Sequence, residues 1–246
     1  MKALGLLIKG STPFLLSFAL VVTVFGGAID TGVVLKDLLA HVPSLLYSGV
    51  SIISAVIGAY FLSRRVAFFK SSALPGLSSV LTSVPVFVLA IFLQSVLWLR
   101  IFRLVSYHDP IKDFFSTFIP TFSTIFLFSF LEISLFMRPI AERILKSEFV
   151  RTMRSIGEDE RTVRKKLARN IDVEFSRILI HLTPIFMGES IVVERIYNFR
   201  GVGYELVEAM KNLDLNSVIA LSVHFSLITT SMGLFSWVVG ERWREG

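Results

Sequence analysis

Apolar residues run through this chain in blocks too long for a soluble core. Uncharged runs extend from Gly10 to Ile29, Ser71 to Leu99 and Leu215 to Gly240, and Leu38 to Ser63 holds only His41 among residues that carry charge. Each run reaches the roughly 20 residues that a helix needs to cross the hydrocarbon core of a bilayer. Two further blocks are apolar with charged interruptions: Phe114 to Met137 contains Glu132, and about Ile178 to Tyr197 contains Glu189, Glu194 and Arg195. The pattern predicts an all-α membrane protein with a single transmembrane domain over residues 1–246. Its six helices are placed at about 11–29, 42–63, 76–99, 115–137, 178–197 and 215–240.

The period changes between the fourth and fifth spans. Ala141, Leu145, Phe149, Met153 and Ile156 recur at intervals of three or four, and Val163, Leu167, Ile171, Phe175 and Ile178 do the same. Such spacing marks two amphipathic helices. Gly157 between them suits the left-handed residue that ends a helix, and Glu158 or Asp159 suits the start of the next, where a carboxylate accepts orphan backbone donors. The segment 138–177 is therefore expected to be a helix–turn–helix insertion with a polar tip.

Composition agrees with the membrane reading. The chain is 53% hydrophobic, has 23 Phe and a mean hydropathy of +0.69, and carries a net charge of +6. Six spans put both termini on one side together with Arg64 to Lys70 and Arg138 to Arg177, and that side collects 18 of the 25 Lys and Arg residues. By the positive-inside rule it is the cytoplasmic side of the cell membrane. Lys2 and Lys9 precede no small-residue cleavage site, so the first apolar run reads as a retained span. Nucleic-acid binding is disfavoured because Glu142, Glu148, Glu158, Asp159, Glu160, Asp172 and Glu174 dilute the basic segment. With no cysteine, disulfides, thiolate metal sites and Cys nucleophiles are excluded.

Three islands then resemble a known family. Phe149-Val150-Arg151-Thr152-Met153-Arg154-Ser155-Ile156-Gly157, Leu167-Ala168-Arg169-Asn170 and Gly201-Val202-Gly203 follow the order and spacing found in permease subunits of binding-protein-dependent ABC importers of the dipeptide/oligopeptide/nickel type. In that family the loop before the fifth of six helices holds the EAA motif, whose coupling helix sits in a groove on the ATPase. The resemblance implies that Arg151, Thr152, Met153, Ser155, Gly157 and Glu158 form the ATPase-coupling tip. It also implies partnership with cytoplasmic ABC ATPase subunits, a second permease subunit and an extracytoplasmic substrate-binding protein. The chain departs from the family pattern in four places. Met153 replaces a small residue, Glu174 a proline and Phe199-Arg200 a Trp-Pro pair, and the connection Asp30 to His41 between spans one and two is short.

The residues also say where energy comes from. No Gly-x-x-x-x-Gly-Lys-Ser/Thr loop occurs, so the chain has no phosphate cradle of its own and depends on a separate ATPase. It is expected to be a permease without enzymatic activity or cofactor, carrying a small polar solute, a peptide first and a sugar or nickel as alternatives. Ionisable groups within spans cost about 2.5–3.5 kcal/mol and tend to face a cavity or a partner. His181 and Glu189 accordingly become candidates for a translocation path, with Pro184 and Gly188 breaking helix five. Other readings stay open. The basic tip resembles an interfacial helix on anionic membrane lipid. His181, Glu189, Glu194 and His224 would suit an intramembrane metal-dependent hydrolase, although no His-Glu-x-x-His spacing supports it. A passive channel or scaffold would also need six spans.

Overall fold

Among the described residues, helices form where the apolar runs and the amphipathic segment predict them, and two of them, Pro110–Leu145 and Glu160–Ile196, extend beyond their runs. The computed structural model of the chain describes residues 31–66, 73–98 and 110–241, in which no strand occurs. In chain order the helices are α1 (Thr31–Ala40), α2 (Val42–Val66), α3 (Ala73–Ser83), α4 (Val86–Leu93) with a π-helical turn (Gln94–Trp98), and α5 (Pro110–Leu145). They continue with α6 (Glu148–Ser155), α7 (Glu160–Ile196), α8 (Val202–Lys211) and α9 (Leu215–Glu241). Four stretches are long and apolar enough to cross a membrane: Val42–Arg65, Phe115–Leu145, Glu160–Ile196 and Leu215–Gly240. The first predicted span, 11–29, lies outside the described residues.

Helix α2 packs against α5, and α5 and α9 both pack against α7. Small residues make the approach close: Ala55 and Ala59 of α2 are fully buried beside Ile52 and Val56, and Ser63 bonds to Ser134 Oγ of α5 at 2.9 Å. Short side chains let membrane helices gain van der Waals contact where water supplies no driving force between them. Ile133 and Met137 of α5, Ile171, Phe175 and Leu179 of α7, and Leu221 and Ile228 of α9 complete one continuous core. Outside it Leu46, Val50, Phe61, Phe92 and Val238 are exposed, as expected of helices whose outer faces meet lipid or another chain.

Three features differ from the expectation. The third apolar block is two helices instead of one, because α3 ends at Ser83 and Pro85 takes an extended conformation (φ −55°, ψ 140°) before α4. Proline lacks the amide donor and pushes its predecessor out of the α region, so the ladder stops there. Helix five, by contrast, is not broken. The helix α7 runs through Pro184 and Gly188 as 37 residues without interruption. One proline removes one donor, and neighbouring turns carry the helix past it, as they also do at Pro120 and Pro139 of α5. Finally, 138–177 is mostly a pair of helical extensions of the flanking spans, and the single helix expected over 141–156 is divided at Lys146–Ser147.

The turn between α8 and α9 places Leu213 at φ +56°, with 89% of its surface exposed. A left-handed conformation costs an L-residue with a Cβ about 1–2 kcal/mol, and nothing packed around Leu213 offsets it. Leu213→Gly is therefore expected to raise the thermal unfolding midpoint of the detergent-solubilised chain by about 2–4 °C. An unchanged or lower midpoint would count against the strain.

Candidate functional site

The tip is built on a small core of its own. Val150 and Met153 of α6 are buried against Val163 and Leu167 of α7, with Ile144 and Leu145 of α5 packed around them. The three- and four-residue spacing of these side chains turns the other face of α6 outward, so Arg151, Thr152, Arg154 and Ser155 are exposed. Gly157 follows at φ +81°. Its N–H donates to Arg154 O at 3.1 Å, and the Glu158 N–H donates to Met153 O at 3.1 Å. That pair of bonds is the Schellman closure, which requires a left-handed residue at this position. No atom would lie within 4 Å of a Cβ on Gly157, so the backbone angle alone selects glycine.

Charged side chains brace the turn. Arg154 Nε pairs with Glu160 at 2.9 Å, and Lys166 Nζ pairs with Glu158 at 2.5 Å. Asp159 occupies the N-cap position of α7 but makes no side-chain cap bond, so the carboxylate cap expected there is absent and Glu158 is engaged by Lys166 instead. Beside the tip lies a groove of about 850 Å³ lined by Arg143, Phe149, Lys166, Arg169, Asn170 and Glu174. Of the six residues assigned to the tip, Arg151, Thr152, Ser155 and Gly157 lie on its exposed surface and Glu158 is half-buried. Met153 is 4% exposed and belongs to the supporting core.

The residues assigned to a path are elsewhere. Glu189 is 29 residues beyond the start of α7, about 44 Å along the helix axis. It lies beside Glu132 of α5. His181 and Pro184 lie on the outward, exposed face of α7. His224 is fully buried, and the described residues contain no group of three or more His, Cys, Asp or Glu able to hold a metal.

At the end of α7 remote from the tip is a second constellation that the sequence reading passed over. Glu194 is fully buried. One of its carboxyl oxygens accepts the N–H groups of Gly203 at 2.8 Å and Tyr204 at 3.1 Å, and the other accepts the Ser48 hydroxyl at 2.5 Å. The Ser48 oxygen in turn accepts the Val202 N–H at 2.6 Å. An acidic side chain at the first turn of a helix satisfies free donors and complements the helix dipole, so Glu194 fixes α8 to α7 and Ser48 ties both to α2. Both glycines of Gly201-Val202-Gly203 have a steric reason. A Cβ on Gly201 would run into Ser48 Oγ and the Glu194 carboxyl, and one on Gly203 would sit 2.7 Å from Ile191 Cα.

Around this clamp Tyr197 bonds to Thr124 Oγ1 at 2.9 Å and donates to Ala90 O at 3.0 Å, and Phe199 is buried against the rings of Tyr47 and Phe118. Arg195 pairs with Glu208 and covers the Tyr204 ring at 4.7 Å. A hydrogen bond from Lys211, helped by the Arg195 charge, holds the Glu208 carboxyl below the usual carboxylate range. The readable signal was Glu194 followed nine residues later by the glycine pair, an acid within reach of a helix start.

A family model described as binding-protein-dependent transport system inner membrane component matches residues 50–245. No curated protein matches the sequence.

Proposed function

Since the chain belongs to the inner membrane components of binding-protein-dependent transport systems, we propose that it is one of two permease subunits of an ABC importer and that a separate ATPase docks on its Gly157 tip. Membership implies an ATPase and a substrate-binding protein as partners and a multi-pass place in the cell membrane. On this reading the first apolar run and the broken α3–α4 segment complete six spans, and both termini share the cytoplasm with the tip. The observation that carries the docking assignment is the orientation of α6. Its apolar Val150 and Met153 face its own arm, and its exposed surface presents Arg151, Thr152, Arg154 and Ser155 together with the apolar Phe149 and Ile156. A helix lying on lipid would turn its whole apolar face outward instead, Val150 and Met153 included.

The path is assigned to the outward face of α7. An exposed imidazole at His181 is costly against lipid, so this face is given to the second permease subunit and to the solute. A small polar solute, a peptide before a sugar or nickel, suits a path edged by Glu189. Purification of the chain from its native membrane in mild detergent is expected to bring down a P-loop ATPase and a second multi-span chain. Repeated recovery of the chain alone, with a known membrane complex intact in the same preparation, would sink the reading.

A further inference from the structure

Asp172 is buried to 0% exposure in α7, twelve residues after the helix leaves the tip. Its two carboxylate oxygens are divided between two residues of α2: the Tyr60 hydroxyl donates to Oδ1 at 2.7 Å, and Arg64 Nη2 pairs with Oδ2 at 2.9 Å. Tyr60 and Arg64 are four apart and so share one face of α2. Tyr60 is buried too, and its ring stacks on Phe175 at 5.4 Å and 18°. Two positions on each helix thus grip two on the other. A charge so far from water is costly unless it is paired and hydrogen-bonded, and once paired it resists separation.

The far ends of the same two helices are joined by the Ser48–Glu194 bond. Helices α2 and α7 are therefore pinned to each other at two levels by buried polar clamps, and both pack against α5. We infer that α2 and α7 move as one rigid body, and that Asp172 is the positioning residue through which displacement of the tip reaches α2. Without that joint α7 would be free to tilt relative to α2, since the two helices make little direct contact elsewhere. Arg64 closes the joint at its solvent side, with 28% of its side chain exposed. This inference rests on the docking reading given above.

The absence of cysteine in this chain allows spin labels to be placed on it without background when it is labelled before assembly with its partners. In the complex purified with its ATPase, labels at Leu62→Cys and Lys165→Cys report the α2–α7 distance, and a label at Ser155→Cys reports docking. The expected result is one α2–α7 distance, the same without nucleotide and with ATP plus vanadate. In Asp172→Ala a second distance is expected to appear on trapping with ATP and vanadate. The exchange Arg64→Asp with Asp172→Arg should restore the single distance, which a general packing defect would not permit. Asp172→Asn, which keeps the shape and loses the charge, serves if the alanine variant does not insert. A distance that changes with nucleotide in the native pair overturns the inference, as does a single unchanged distance in the Asp172 variants. If the Ser155 label stays mobile when the ATPase is present, the docking reading fails and this inference falls with it. If that label is immobilised while the Asp172 variants stay rigid, only the inference falls.

Discussion

Gly157→Val is expected to uncouple ATP hydrolysis from solute uptake while leaving the chain inserted and assembled. The residue sits at φ +81° in open space, so the added side chain meets no neighbour and its whole effect is on the backbone. Forcing a β-branched residue into the left-handed region costs about 1–2 kcal/mol or more, which shifts the population of the closed turn about 5–30-fold. The chain relieves that strain by opening the Schellman bonds from Gly157 to Arg154 and from Glu158 to Met153, and the exposed face of α6 then loses its fixed orientation relative to α7. The substitution lies far from the packed spans, so membrane insertion should be unaffected. A graded series sharpens the test. Asn tolerates the left-handed region and should retain most uptake, Ala should fall between, and Val should lose the most. Equal uptake per ATP in all four proteins would remove the geometric basis of the docking assignment.

Glu194→Ala is expected to be among the most destabilising changes outside the apolar core. It strands the N–H groups of Gly203 and Tyr204 and the Ser48 hydroxyl, each of which now bonds to that carboxyl. A buried donor left without an acceptor costs about 1–3 kcal/mol, so even a loss equal to one such donor at the upper limit lowers the unfolding midpoint by about 6–12 °C. Glu194→Gln keeps one acceptor oxygen for the two backbone donors and should lose less than half as much. Gly203→Ala tests the same constellation from the other side, because its Cβ would press on the backbone of Ile191 and α8 would have to lift. Thermal unfolding of the three variants in one detergent decides it. A midpoint within about 2 °C of native for Glu194→Ala would mean that the clamp adds nothing to stability.

Four of the predicted spans and the helical turn at Gly157 were legible because each rests on a strong local rule. Uncharged length predicts a crossing helix, as at Leu38 to Ser63 and Leu215 to Gly240, and apolar periodicity on both sides of one glycine predicts a helical turn, as at Gly157. Helix continuity was not legible. Pro85 ends a helix and Pro184 does not, although both are prolines in apolar surroundings, because the outcome depends on which neighbours support the interrupted ladder. The same limit hid the clamps. Asp172 looked like dilution of a basic segment and Glu194 like a candidate metal ligand within a span, since their partners Tyr60, Arg64 and Ser48 are more than 100 residues distant in sequence. The family resemblance puts Met153 in the coupling tip, yet its place in the apolar period puts it underneath, where it is buried.

The unbroken length of α7 also fixes a mechanical ratio. From Glu160 to Pro184 the helix measures about 36 Å, and from Pro184 to Ile196 about 18 Å. If α7 turned as a straight rod about the level of Pro184, its far end would travel half as far as the tip and in the opposite direction. On the docking reading the longer arm would then supply stroke, and the shorter arm, which holds Glu194 and through it the start of α8, would deliver a smaller movement at greater force. Lengthening the arm between Glu160 and Asp172 by whole helical turns would alter that gearing, and it would also move Val163 and Leu167 relative to Ile144 and Leu145 of α5.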